Sequence, residues 1–144
     1  MKLEIREMLY QDLEMVAELE QTLFSMPWSR RGFADSLSQK DTLYIVALEH
    51  RQIVGYSGMM QVLDEADITN VAVAKEHWGR GIATAMLSAL MERGKHRGVS
   101  AYTLEVRESN ASAIHLYEKL GFVKVGIRKN FYEKPVENAV IMWK

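Results

Sequence analysis

The sequence contains no cysteine, and this absence excludes several kinds of chemistry at once. Disulfide bonds, thiolate metal sites and a cysteine nucleophile all require a thiol. No apolar run approaches the roughly 18 residues of a membrane-spanning helix. The first residues, MKLEIREML, lack the apolar segment of a signal peptide. We therefore expect a cytoplasmic protein with no membrane partner.

An excess of charge of one sign is missing as well. The chain has 18 Lys and Arg against 19 Asp and Glu, which gives a net charge of −1. This balance provides no basic field for nucleic acid, so direct nucleic-acid binding is not expected. The four histidines lack metal-ligand spacing, so no metal is expected. At 144 residues the chain is expected to form a single domain, 1–144, while its oligomeric state is left open.

Hydrophobic periodicity predicts the order strand, two helices, three strands, helix, strand, helix, two strands. The predicted helices cover about 11–24, 30–39, 82–97 and 111–120, with Asp12, Ser29 and Asn110 as N-caps and Gly98 and Gly121 just beyond two C-termini. The last two strands are expected near 122–127 and 138–143. This order predicts an α/β (α+β) fold, with a mixed, mostly antiparallel twisted sheet of about seven strands covered by about four helices.

The segment VAVAKEHWGRGIATAML, residues 71–87, runs from β-branched residues through two glycines into a helix. Glycines so close together cost backbone entropy, and a helix N-terminus behind such a turn offers free N–H groups to an anion. A P-loop requires Gly-Lys-Ser/Thr, which Gly81-Ile82-Ala83 does not supply. A dinucleotide-binding motif requires a third glycine where this chain has Thr84. It also requires the first strand of a βαβ series, whereas the strand here is about the fourth. A simple flexible turn remains an alternative.

Two further residues favour a catalytic interpretation. Glu105 lies in a strand between apolar Leu104 and Val106, where an isolated carboxylate is expensive unless it is paired, protonated or used. Tyr117 lies two helical turns beyond Asn110, and core packing would also explain it. A carboxylate and a phenol near an anion-binding helix can serve as general base and general acid.

The blocks NVAVAKEHWGRGIATAML and LEVRESNASAIHLYEKLGF resemble the cofactor and catalytic motifs of the GCN5-related N-acetyltransferase (GNAT) superfamily. Within it the chain resembles the RimI-type enzymes, which acetylate the N-terminal alanine of a small-subunit ribosomal protein. MPWS at 26–29, VLDEADITNVAV at 62–73 and RKNFYEKPVENAVIM at 128–142 extend the resemblance over essentially the whole chain. The resemblance implies the GNAT fold, acetyl-CoA as co-substrate and a ribosomal-protein N-terminus as acceptor.

The resemblance also implies roles for individual residues. Glu105 would accept the amine proton and Tyr117 would protonate the departing CoA thiolate, by direct transfer in a ternary complex. The residues implied to bind acetyl-CoA are Val71, Ala72, Val73, Trp78, Gly79, Arg80, Gly81, Ile82, Ala83, Thr84 and Asn110. Trp78 departs from the family pattern, which has Gln or Arg there, so its side-chain contact is open. Asn110 is equally explained as a helix cap.

The acceptor is assigned to Trp28, Asn70 and Tyr132. Trp28 is alternatively a core anchor, and Tyr132 belongs to the Asn130-Phe131-Tyr132 segment, which resembles a loop that closes over the first residues of the substrate. Two other functions remain open: an acetyltransferase of the same fold acting on a small-molecule amine or a lysine side chain, and a non-catalytic acyl-CoA-binding module. The pairing of Glu105 with Tyr117 argues against the module, since a binding protein needs neither.

Overall fold

The computed structural model of the protein describes residues 2–144. Over this range the chain forms seven strands and four α-helices. The strands are β1 (Leu3–Glu7), β2 (Thr42–Glu49), β3 (Gln52–Val62), β4 (Glu65–Val73), β5 (Ala101–Arg107), β6 (Val123–Tyr132) and β7 (Glu137–Trp143). The α-helices are α1 (Leu13–Leu23), α2 (Arg30–Leu37), α3 (Ile82–His96) and α4 (Ala111–Lys119).

The strands described in 2–144 join into one sheet with the order β1-β2-β3-β4-β5-β7-β6. Neighbouring strands are antiparallel except β4 and β5, which are parallel and are connected through α3. The predicted element order and the mixed, mostly antiparallel sheet are therefore confirmed. Within the described range, no helix combines the length and apolar composition needed to cross a membrane.

The sheet opens between β4 and β5. Across the described residues, these strands pair only through Glu65–Asp67 and Ala101–Thr103. A bulge opposite Gly58 and Met59 bends β4 just after this short ladder. Because pairing is confined to the first residues of two parallel strands, their carboxyl-terminal halves separate and leave a wedge-shaped opening in the sheet.

Helices cover both faces of the sheet. On one face α3 buries Ile82, Met86, Leu87 and Leu90 at 0–2% exposure against the sheet, and Ile114 and Tyr117 of α4 join the same cluster. On the other face α1 and α2 pack Leu13, Val16 and Phe33 against Tyr44 and Tyr56. Each fully buried apolar side chain contributes about 1.5–3 kcal/mol, so these two clusters hold both edges of the opening in place.

Most of the predicted helix ends are confirmed. Ser29 Oγ accepts the N–H of Gly32 at 3.1 Å and Asn110 Oδ1 accepts that of Ala113 at 3.2 Å. Gly98 and Gly121 end α3 and α4 with φ of +87° and +100°, values that suit glycine.

Two local predictions are wrong. Asp12 precedes α1, but its carboxylate accepts the N–H of Leu9 and pairs with Arg6 at 2.8 Å instead of capping that helix. Burial alone would raise the pKa of Asp12, yet the hydrogen bonds from Arg6 and Leu9 outweigh it and lower that pKa. The strand predicted to stop near 127 continues to Tyr132 as β6, with a register shift beyond Arg128 where Asn130 adopts φ +54°.

Candidate active site

The opening between β4 and β5 leads into a cleft of about 700 Å³. Its walls come from the α1–α2 connection, the separated halves of β4 and β5, the start of α4 and the β6–β7 hairpin. Seven of the residues predicted from the sequence line it: Trp28, Asn70, Val71, Glu105, Asn110, Tyr117 and Tyr132. The fold therefore brings the predicted catalytic and acceptor residues together from distant parts of the chain.

Glu105 is directed away from the core on its strand. Leu104 and Val106 are buried with α3 and α4, so alternation along β5 turns Glu105 to the opposite face. Its carboxylate is 23% exposed, and Oε2 lies 3.3 Å from Nε of Arg128. The carboxylate is thus paired with a cation while remaining accessible from the cleft, as a proton acceptor must be.

Asp67 is a neighbouring carboxylate that the sequence analysis missed. It lies on β4 opposite Thr103, two residues before Glu105 on the paired strand. Within residues 2–144, no donor reaches its buried Oδ1. Burial, reinforced by the charge of Glu105 and opposed by Arg128, raises the pKa of Asp67 to about 6. Its sequence signal was an acid inside an apolar strand, the same signal that singled out Glu105.

Tyr117 packs in the core and also reaches the cleft. Its ring is 7% exposed and packs edge-on against Phe122 with ring centres 5.9 Å apart, so it is a core residue. It also lines the cleft. Burial, with a smaller contribution from Tyr132, raises the pKa of its hydroxyl above the usual value. The phenol therefore keeps its proton at neutral pH and remains a potential donor.

The glycine loop lies beyond the end of β4, where α3 begins. Gly79 and Gly81 have φ of +77° and +78°, and a Cβ placed on either would meet nothing within 4 Å. Conformation, not crowding, therefore requires glycine at both positions. Gly81 is the N-cap residue of α3, so the N–H groups of Ile82, Ala83 and Thr84 are not used inside the helix. This geometry suits an anion.

The two large side chains of this loop turn back onto the protein. Trp78 is 61% exposed, yet its Nε1 donates to the carbonyl of Val73 at 2.6 Å. Arg80 pairs with Glu49 at 2.9 Å and contacts Nδ1 of His77 at 2.7 Å. Both side chains bond to other parts of the protein, so the backbone of the loop is the part that can face a ligand.

The edge of β4 beside the cleft carries main-chain groups that do not pair with a neighbouring strand. Ala74 N–H bonds to Val54 on β3, and Ala72 is paired with Tyr56 at the next hydrogen-bonded position of that ladder. Alternation then turns the N–H and carbonyl groups of Val71 and Val73 toward the open side. The main chain of Ala72 faces β3, so the predicted contact of Ala72 with a ligand would have to come from its side chain.

The residues predicted for the acceptor form the outer wall of the cleft. The rings of Trp28 and Phe33 pack in a tilted arrangement with centres 5.2 Å apart, and the backbone N–H of Trp28 donates to the buried Glu20 at 3.0 Å. Asn70 is buried, and its Oδ1 accepts the hydroxyl of Tyr44 at 3.3 Å. Trp28 is therefore anchored to the core, as one of the two interpretations predicted, and it also lines the cleft.

Tyr132 closes the cleft from the β6–β7 hairpin, beneath a cation that the sequence analysis missed. The guanidinium of Arg107 lies 4.5 Å from the centre of its ring. Burial, with the charge of Glu105, raises the pKa of Tyr132 to about 12. In the part of the chain that the structure describes, no group of three His, Asp or Glu side chains is arranged to hold a metal ion.

This fold and this site define an acetyltransferase, and the chain belongs to the Acetyltransferase (GNAT) family, whose sequence model matches residues 13–122. The GNAT fold uses acetyl-CoA as acetyl donor. The chain is 41% identical over 134 residues to the [ribosomal protein bS18]-alanine N-acetyltransferase of Haemophilus influenzae, covering 91% of this chain and 90% of that protein.

Solved structures agree with this assignment. The crystal structure of the ribosomal-protein-S18-alanine N-acetyltransferase from Escherichia coli matches with a TM-score of 0.92 and 34% identity, over 99% of this chain and 92% of that chain. Ard1 from Thermoplasma volcanium matches with a TM-score of 0.93 and 26% identity, over 100% and 97% of the two chains. The GNAT fold predicted from the sequence is confirmed.

Proposed function

We propose that this protein transfers the acetyl group of acetyl-CoA to the N-terminal α-amine of a small-subunit ribosomal protein that begins with alanine. The observation that carries the proposal is the cleft itself, because Glu105, Tyr117 and Tyr132 line it together. We propose that an extended N-terminus of the acceptor binds there. Relatives at 36–41% identity over 91% of this chain are named for alanine acetylation of ribosomal protein bS18, which supports the same acceptor class here. Such a partner fits a cytoplasmic enzyme.

Glu105 is assigned the role of general base. An acceptor amine enters as an ammonium and must lose a proton before it can attack the acetyl carbonyl. An α-amine titrates near pH 8 and a lysine near 10.4, so freeing the lysine at neutral pH costs about 3 kcal/mol more. A single, partly buried carboxylate beside Arg128 suits the easier of these tasks.

Tyr117 is assigned the role of general acid. Attack of the amine on the carbonyl expels the CoA sulfur as a thiolate, which needs a proton. Because burial keeps the Tyr117 hydroxyl protonated, the phenol is a suitable donor from the α4 side of the cleft. With no cysteine in the chain, there is no thiol to carry the acetyl group, and this favours direct transfer between two bound substrates.

Acetyl-CoA is assigned to the glycine loop and to the open edge of β4. The backbone from Gly79 to Thr84 would hold the pyrophosphate at the start of α3. The main-chain groups of Val71 and Val73 would pair with the pantetheine arm in the manner of an added strand. Asn110 contributes from the other side of the cleft, where it also caps α4.

The decisive experiment supplies purified protein and acetyl-CoA with peptides that differ only in their first residue. We expect a peptide beginning with alanine to be acetylated at its α-amine, as located by tandem mass spectrometry, and initial rates to give intersecting lines for the two substrates. An α-blocked peptide carrying a free lysine, and a polyamine, serve as competing acceptors. Faster acetylation of either would replace the proposed acceptor with a lysine side chain or a small amine.

A further inference from the structure

The tip of the β6–β7 hairpin, residues 132–137, is bound by the side chain of Arg107 at the end of β5, in addition to the ladder that joins β5 to β7. Its Nη2 donates to the carbonyl of Glu133 at 2.8 Å. Its Nη1 donates to the carbonyl of Pro135 at 3.0 Å and to Oε1 of Glu137 at 3.2 Å. The same guanidinium covers the ring of Tyr132. A planar fork is the group that can satisfy such acceptors together.

Glu137 completes this arrangement from the other strand of the hairpin. Its second carboxylate oxygen accepts the N–H of Ser109, in the turn that leads into α4. Hydrogen bonds from Ser109, and then from Arg107, lower the pKa of Glu137, so the acid is ionised at neutral pH. Arg107 and Glu137, called here the hairpin clamp, thus connect β5, the hairpin and the approach to α4.

The position of the hairpin clamp gives it a consequence for the cleft. Tyr132 lines the cleft together with the two proposed catalytic residues, Glu105 and Tyr117. Arg107 and Tyr132 both line the cleft. Arg107 bonds to the hairpin on both sides of its tip. We therefore expect loss of these bonds to move Tyr132 relative to Glu105 and Tyr117.

We propose that Arg107 is a positioning residue that, with Glu137, holds the β6–β7 hairpin over the cleft and thereby sets how the first residue of the acceptor is seated. The proposal rests on the proposed function for the identity of the acceptor. It assigns Arg107 to acceptor binding and selectivity, not to acetyl-CoA binding, because the hydrogen bonds of the Arg107 side chain go to the hairpin and not to the residues proposed for acetyl-CoA.

The test compares Arg107→Gln with Arg6→Gln. Arg6 makes an ion pair of similar exposure with Asp12, away from the cleft, and is the matched control. For Arg107→Gln we expect the KM for the alanine peptide to rise on the order of 10- to 100-fold. The differences in kcat/KM between peptides with different first residues should become smaller. The KM for acetyl-CoA should stay within about 2-fold of wild type, and Arg6→Gln should leave both values unchanged.

Hydrogen–deuterium exchange of residues 130–136 provides a readout that needs no acceptor. Arg107→Gln should speed exchange there while β2 and β3 stay protected. Arg107→Lys keeps the charge but not the fork, so it should recover less than half of the loss in peptide KM. If Arg107→Gln folds poorly, Glu137→Gln is used instead and should raise the peptide KM with the same selectivity pattern.

An unchanged peptide KM together with unchanged exchange would overturn the proposal, as would equal rises in KM for both substrates. Full recovery by Arg107→Lys would overturn the role of the fork. A wild-type enzyme that acetylates no peptide overturns the proposed function instead. In that case the role of the hairpin clamp is tested by hydrogen–deuterium exchange of residues 130–136 and by the KM for the amine that the enzyme does accept.

Discussion

The Nε of Arg128 on β6 lies 3.3 Å from Oε2 of Glu105 on β5, so the proposed base is paired with a cation from another strand of the sheet. Arg128 is 57% exposed and can move aside, whereas Glu105 is fixed on β5. We expect Glu105→Gln to lower the rate at neutral pH by about 10²–10⁴-fold with unchanged acetyl-CoA affinity. The loss should shrink as pH rises, because the amine then deprotonates unaided. Rates from pH 6.5 to 9 measure this, with exposed Glu118→Gln as control.

Near-normal turnover of well-folded Glu105→Gln across this pH range would contradict the role of base. A lowered melting temperature with normal turnover would make Glu105 a structural residue only.

Tyr117→Phe should behave differently because it removes a donor and not an acceptor. The ring still packs on Phe122, so the fold should be retained. We expect a rate defect that persists at high pH, since the thiolate still lacks its proton there. The defect should shrink with an acyl donor whose leaving thiol is more acidic. Steady-state rates with acetyl-CoA and with an activated thioester measure this, and an equal defect with both donors counts against a general acid.

Gly81→Val should weaken acetyl-CoA binding severely while leaving most of the structure intact. The change places a β-branched residue at φ +78°, which costs about 1–2 kcal/mol and distorts the start of α3. Gly98→Val is the matched control, because Gly98 has φ +87° at the other end of the same helix and is equally uncrowded. Calorimetry should show lost affinity for Gly81→Val alone. Equal affinities in both variants would rule out the anion site.

Asp67→Asn should stabilise the protein at neutral pH. The folded-state pKa of Asp67 is raised from 3.8 to about 6, so its contribution to stability is present below about pH 4 and is lost as pH rises through 6. Asparagine has no charge to bury, and the Tm of the variant should therefore exceed that of wild type above pH 6 and approach it near pH 4. Thermal unfolding from pH 4 to 8 measures this, with exposed Asp35→Asn as control. A Tm difference independent of pH would contradict the buried charge.

The features that sequence predicted well are those encoded locally. Runs of strand-forming residues between turns predicted β2 and β4, side-chain oxygens predicted the caps at Ser29 and Asn110, and glycines predicted the ends of α3 and α4. The capping prediction for Asp12 failed because its carboxylate oxygens accept hydrogen bonds from Arg6 of β1 and from the N–H of Leu9. Local composition cannot choose between two such partners.

The parts of the site that escaped prediction depend on register between distant strands. Asp67 meets the surroundings of Glu105 only because β4 and β5 pair at Asp67 and Thr103. Arg107 reaches the hairpin across 26 to 30 residues of chain. Neither contact follows a recognisable pattern in a single sequence. A charged residue inside a strand can therefore be identified from the sequence, but its partner cannot.

The bond from the Trp78 indole to the carbonyl of Val73 restricts what can lie along the open edge of β4. That carbonyl already accepts one hydrogen bond from within the chain, so the edge groups still without a partner among the described residues are the N–H and the carbonyl of Val71 and the N–H of Val73. A ligand that matches this edge must offer two oxygen lone-pair sites flanking a single N–H. An arm built from two successive amides meets this stoichiometry and leaves one of its own N–H groups for solvent, whereas an ester or hydrocarbon arm of the same length does not.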